Sequence, residues 1–226
     1  MRRVPLCESS ASADGAPAGP QPAECDRSAS NSSSTNDEAI PPWLSTEKRF
    51  IANAVRAGTP FWGVCLGAQL LAASLGGLVT PGARPEVSVG PVQLTRSAAN
   101  DPVFASVPPV FEALHWHGDT YELPVGAVRL ASSAQHEQQA FVFGRAYALQ
   151  FHLEVTPALA QEWIRVPAYV QSLEQVMGAS GSSRLLEQLA QASSSAIPLA
   201  RELFGLWLDH VVGVSSRRGC GVRESI

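Results

Sequence analysis

The stretch that most constrains this chain runs from Thr59 to Gly77 and reads TPFWGVCLGAQLLAASLGG. Its first part, Phe61-Trp62-Gly63-Val64, is a short apolar run of the kind that forms a buried strand. Its second part carries Leu66, Leu70, Leu71 and Leu75 and reads as a helix with one apolar face. Cys65 stands at the junction, with Gly63 two residues before it and Gly67 two after. This is the sulfur form of the G-x-S-x-G nucleophile elbow. A strand that turns at once into a helix strains the residue at the turn, and small neighbours let the chain pass closely. The turn lifts the side chain above the sheet. It also sets the sulfur at a helix N-terminus, where unpaired N–H groups favour a thiolate. A buried structural cysteine is the plainer alternative, since free cysteine is among the most buried residue types.

With 226 residues, 45% of them hydrophobic, the chain can build one domain with a substantial core. A formal net charge of −4 argues against a nucleic-acid binder, and Arg217, Arg218 and Arg223 are too few for a basic patch. No apolar run reaches the roughly 18 residues of a membrane span, and no secretory signal follows Arg2 and Arg3. The cysteines Cys7, Cys25, Cys65 and Cys220 form no C-x-x-C pair and no zinc-spaced cluster. A reduced, cytoplasmic protein is the simplest account.

Residues 1–36 are rich in Ser, Ala, Gly, Pro and Asn, and are expected to be disordered. The folded domain is expected over 37–212, with a flexible tail over 213–226. Leu44, Ile51, Ala54 and Val55 share a helical face, and Gly58 is placed to end that helix. After the elbow come candidate strands Val87–Val89, Val92–Thr95, Val110–His117, Val128–Ser132, Ala140–Phe143 and Tyr147–Leu153, separated by turn signals such as Gly90-Pro91 and Gly144. Thr156-Pro157 opens a helix to about Arg165. Further helices are expected near 169–177, 183–192 and from about Ser195, the last with Ile197, Ala200, Phe204, Trp207, Leu208 and Val211 on its apolar face.

The second informative stretch is ALQFHLEVTP, residues 148–157. If it is a strand, period-two alternation puts His152 and Glu154 on one side, at the strand's C-terminal end. With Cys65 they supply a nucleophile, a base and an orienting carboxylate. An edge strand with its polar residues in water is the alternative. His115, His136 and His210 read as core or surface residues rather than metal ligands. Glu137-Gln138-Gln139 reads as a solvated turn.

GVCLGAQLLA together with QFHLEVTP resembles the class I glutamine amidotransferase domain. The likeness is nearest to stand-alone proteins similar to the glutaminase part of GMP synthase. LHWHGDTYELPVGAVRLASS and EVSVGPVQLT carry it further, so that it covers about Asn36 to Val212. The resemblance implies an α/β fold: an open, mostly parallel, flavodoxin-like sheet flanked by helices. It implies that Cys65 attacks the side-chain amide of glutamine, that His152 moves the proton and that Glu154 orients it. The N–H of Leu66 would donate to the oxyanion. Gln69 would touch the amino-acid end of the substrate, and the backbone around Trp116, His117 and Gly118 would line the glutamine pocket. Alternatives stay open: Gln69 as a solvated helix residue, Trp116 as core, Asp119 as a turn residue.

No cofactor is expected, and the absent ligand spacing argues against a metal. The resemblance implies glutamine or another γ-glutamyl compound as substrate and ammonia passed to an acceptor, expected on a separate synthetase polypeptide because no ATP-binding segment is seen; charge and hydropathy argue against nucleic-acid or membrane partners. Two other functions compete: a γ-glutamyl amide or peptide hydrolase, and a catalytically impaired binding or regulatory homologue. The last draws on a departure from the family. Its domains open with strand, helix and strand, leading to a glycine-rich loop that gives a second oxyanion N–H. Here the corresponding positions read Ser30-Asn31-Ser32-Ser33-Ser34. A truncated or misread N-terminal part is the expectation.

Overall fold

The computed structural model describes residues 43–213. The disorder expected over 1–36 and the flexible tail expected after 213 therefore lie outside the described residues, as do Cys7, Cys25 and Cys220. The first element is helix α1, Trp43–Arg56, whose Leu44, Ile51, Ala52 and Val55 are buried. Strand β1, Phe61–Val64, runs into helix α2, Leu66–Ser74, with Cys65 as the single residue between them. Strands β2 (Val79–Leu94), β3 (Val110–Tyr121), β4 (Val128–Ser132), β5 (Ala140–Phe143) and β6 (Ala146–Leu149) follow. Helices α3 (Pro157–Trp163), α4 (Pro167–Met177) and α5 (Gly181–Trp207) complete the fold, with a π-helical turn at Leu208–Val212.

The strands form one six-stranded sheet in the order β1-β6-β5-β4-β2-β3. Helices flank it, as an α/β fold requires. The expectation of mostly parallel pairing needs correction for the described residues. Only β1 and β6 pair parallel, while β6–β5, β5–β4, β4–β2 and β2–β3 are antiparallel. The connections explain it. Parallel neighbours need a crossover of a dozen residues or more, whereas Gly144-Arg145 joins β5 to β6 as a two-residue hairpin.

Strand β6 is the axis of the packing. Its four residues are all buried. Ala146 and Ala148 pack into a core with Leu44, Ile51 and Leu71 of α1 and α2. Tyr147 and Leu149 pack into a core with Leu203 and Trp207 of α5. Alternation along one short strand thus joins two helical layers. A third core, with Leu173, Leu185 and Leu189 of α4 and α5, covers Val87 and Leu114 of the long β2–β3 pair.

Two local expectations fail for physical reasons. Gly90-Pro91 is no turn: β2 continues through it, with Pro91 opposite Glu112. Strand β4 pairs with β2 only at Gln93 and Leu94, so Pro91 sits where one side of β2 carries no ladder and a missing N–H costs little. The two helices expected around Ser193–Ser195 are one helix, α5, which also contains Pro198. The hydroxyls of Ser193, Ser194 and Ser195 bond back to the carbonyls of Ala190, Gln191 and Ala192, so these serines stay helical.

Candidate active site

Cys65 has φ 52° and ψ −105° and is the only non-glycine residue with positive φ among the described residues. Such a conformation costs on the order of 1–3 kcal/mol and persists only where its surroundings enforce it. Here the Cys65 N–H donates to the Leu149 carbonyl at 2.7 Å, continuing the β1–β6 ladder, while its own carbonyl accepts from Ala68 and Gln69 in the first turn of α2. The N–H groups of Leu66 and Gly67 precede those first helical bonds and lie at the open helix start. The sulfur lies 4.0 Å from the Trp116 carbonyl oxygen and accepts from Gln150 Nε2 at 3.7 Å.

The chain reaches His152 three residues beyond β6. His152 and Glu154 are not in a strand, so the alternation argument does not apply as stated. Instead His152 forms an isolated antiparallel bridge with Leu114 of β3, donating to its carbonyl at 2.8 Å and accepting from its N–H at 3.0 Å. The two side chains still meet: His152 Nδ1 lies 2.6 Å from Glu154 Oε1. Glu154 Oε2 accepts from the Leu153 N–H at 3.0 Å, which fixes the carboxylate. The imidazole also feels Cys65 electrostatically. Burial disfavours its charged form, but the Cys65 and Glu154 partners outweigh that and push His152 up to about 10. Burial raises the Glu154 carboxyl, yet the His152 contact leaves it below its ordinary value. Trp163 and the His152 ring lie edge to face with centroids 6.3 Å apart, and Trp116 packs against Trp163 and Tyr169.

The other residues singled out in the sequence divide. Gln69 is buried rather than solvated and donates from Nε2 to Gln150 Oε1 at 3.3 Å. Trp116 contributes its carbonyl to the sulfur's surroundings. The His117 side chain is engaged elsewhere: it is buried, with Nε2 3.4 Å from Glu86 Oε2 and Nδ1 3.0 Å from the Asp119 carbonyl. Gly118 leaves open space where a side chain would stand. His210 is exposed. His115 and His136 are both buried. Burial drives His115 down to about 4 against the pull of Glu86.

Sequence reading missed Gln150, which has no exposed surface and bridges Gln69 to the sulfur. The available signal was a polar side chain inside the apolar run Ala148-Leu149-Gln150-Phe151. It also missed Glu86, and it placed Gln139 wrongly in a solvated turn. Gln139 is fully buried and donates to Glu86 Oε2 at 2.8 Å.

A cysteine on a strand–helix elbow, beside a histidine–glutamate pair and over a helix-flanked sheet, defines an α/β protein of nucleophile-elbow type. Comparison with known proteins is more specific. The family description "Glutamine amidotransferase class-I" matches residues 36–166, more than half of the chain. The chain belongs to the class I glutamine amidotransferase family. It is 32% identical over 163 residues to the glutamine-hydrolysing GMP synthase of Thermomicrobium roseum, covering 65% of this chain but only 30% of that protein. It is 26% identical over 173 residues to the glutamine amidotransferase-like protein YfeJ of Salmonella typhimurium, covering 76% of this chain and 70% of that one. The crystal structure of a glutamine amidotransferase from Thermotoga maritima superposes with a TM-score of 0.70 at 32% identity, covering 77% of this chain and 74% of that one. Among the described residues no helix is long and apolar enough to cross a membrane.

Proposed function

We propose that the chain hydrolyses the side-chain amide of glutamine, with Cys65 as nucleophile, His152 as proton carrier and Glu154 as the group that orients it. The observation that carries this reading is the 2.6 Å His152–Glu154 pair, coupled electrostatically to a Cys65 held on a strained elbow. A His152 held up to about 10 is protonated at neutral pH and can face a thiolate. Attack of the sulfur on the amide carbon forms a C–S bond and an oxyanion, to which the Leu66 N–H donates. Collapse breaks the C–N bond, and the imidazolium gives its proton to the departing nitrogen, which leaves as ammonia. The neutral imidazole then takes a proton from water as that water attacks the γ-glutamyl thioester. Glutamate leaves, and the sulfur and imidazolium are restored. Each turnover consumes one glutamine and one water.

Ammonia is a product that synthetases consume, and the Thermomicrobium roseum relative is a glutamine-hydrolysing GMP synthase. We read this chain as a cytoplasmic glutaminase whose ammonia is taken up by a synthetase. Gln69 and the backbone at Trp116, His117 and Gly118 then bound the glutamine pocket. The test is release of glutamate and ammonia from glutamine by the purified full chain beside Cys65→Ser, with circular dichroism to confirm folding. Activity lost in Cys65→Ser supports the reading. A well-folded wild type that hydrolyses γ-glutamyl conjugates but not glutamine, or that takes no glutamine-like electrophile on Cys65, overturns it.

A further inference from the structure

Behind Trp116, on the long β2–β3 ribbon, lies a second cluster that this chemistry does not use. Glu86 of β2 pairs across the ladder with His117 of β3, and Ser88 pairs with His115. His115, His117 and Glu86 are respectively 1%, 6% and 5% exposed. Each imidazole is fixed by a backbone carbonyl. His115 Nε2 lies 3.3 Å from the Gly90 oxygen, and His117 Nδ1 lies 3.0 Å from the Asp119 oxygen. A carbonyl only accepts, so those ring nitrogens carry the hydrogens. The other two, His115 Nδ1 and His117 Nε2, face Glu86 Oε2 at 3.6 and 3.4 Å and have no hydrogen-bond partner. Two lone pairs and a carboxylate therefore converge in a buried space. Gln139 Nε2 at 2.8 Å and Ser133 Oγ at 3.1 Å already donate to that carboxylate oxygen and set its orientation.

A set of acceptors converging out of water needs positive charge between them. The three ligand atoms all lie within 4.8 Å of one another. The two contacts to the carboxylate are close to the about 3.3–3.4 Å separating ligands on a tetrahedral zinc with bonds of about 2.0–2.1 Å. The outer hydrogen bonds are those that metal-bound imidazoles make: the far ring nitrogen donates to a carbonyl, which fixes the tautomer. We propose that Glu86, His115 and His117 form a structural site for a divalent cation of the zinc class. The cation clamps β2 to β3 and leaves its fourth position to water. Cys65, His152 and Glu154 take no part in it. The clamp would stiffen β3, which presents the Trp116 carbonyl to the sulfur and bridges to His152 through Leu114.

The test is titration of chelator-treated full-length protein with Zn2+ by calorimetry, in wild type, Cys65→Ala, His117→Gln and Glu86→Gln. The expected result is one equivalent bound, with a raised melting temperature, in wild type and Cys65→Ala. In the other two variants the affinity should fall at least tenfold. If those variants misfold, Co2+ on wild type still decides. A site of two imidazoles and a carboxylate gives visible d–d bands without the near-ultraviolet charge transfer of a thiolate. Absence of stoichiometric binding, a cobalt thiolate band, or binding lost in Cys65→Ala but kept in His117→Gln would overturn the proposal. The first of these would mean that the cluster holds a proton instead.

Discussion

The two glycines of the elbow look equivalent in sequence, yet they should respond oppositely to alanine. A Cβ at Gly63 would stand 2.6 Å from the Gly67 carbonyl oxygen, 2.7 Å from its carbon and 2.7 Å from Phe61 Cε1. Real Cβ contacts essentially never fall under 3.0 Å. The Phe61 ring can swing aside, but the Gly67 carbonyl belongs to the first turn of α2. Relief therefore requires the helix to shift on β1 by several tenths of an ångström, at a cost of about 1–3 kcal/mol. At this chain length that lowers the melting temperature by roughly 2–12 °C. A Cβ at Gly67 meets nothing within 4 Å. Alanine there restores helix propensity and should be neutral or stabilising by up to about 1 kcal/mol. Thermal unfolding of the two variants beside wild type, followed by circular dichroism, measures the difference. A Gly63→Ala protein as stable as wild type, or a Gly67→Ala protein that loses as much as Gly63→Ala, would refute the elbow's close approach.

The strain at Cys65 predicts that Cys65→Gly is more stable than Cys65→Ala by about 1 kcal/mol, although both remove the sulfur; equal urea midpoints would deny that the elbow is strained. NMR titration of the His152 ring should place its pKa near 10 in wild type and lower in Glu154→Gln, where the larger Cys65 contribution remains, and a wild-type value below about 7 would contradict the observed pairing. Because that pKa is raised above the unfolded value of 6.5, its stabilisation is complete below about 6.5 and disappears as pH climbs through 10. Urea unfolding across this window should therefore slope less in Glu154→Gln than in wild type. Tyr147 Oη donates to Asp101 Oδ2 at 2.9 Å, while Asp101 Oδ1 accepts from the N–H groups of Val103 and Phe104. Tyr147→Phe should cost about 1.5–3 kcal/mol in urea unfolding, and a loss under about 0.5 would show the bond to be dispensable.

The elbow was legible because its signal is local: an apolar run, a cysteine between two glycines, then a helical face. His152 and Glu154 were legible as a pair, but the reason differed. Their spacing suggested a strand, whereas a bridge to Leu114 and a direct 2.6 Å contact bring them together. Thr156 caps its helix as read, accepting from the Leu159 N–H with Pro157 at the first helical position, because capping is settled within four residues. The Glu86 cluster was illegible because Gln139 reaches Glu86 from 53 positions away, across a pairing that no local pattern encodes. The course of β2 through Pro91 was hidden for a related reason. Whether a proline is tolerated depends on which side of the strand has a neighbour.

Strand β6 ends three residues short of the imidazole, and its alternate side chains are claimed by opposite halves of the molecule. Aim of the ring is thus inherited from the whole body of the protein rather than from a pliant rim. Ala146 and Ala148 have no exposed surface, so an added methylene at either would press on α1 and α2 and be felt at the sulfur as well as at the histidine. Substitutions that disturb the geometry of Cys65 and His152 without replacing either should therefore concentrate along this four-residue spine.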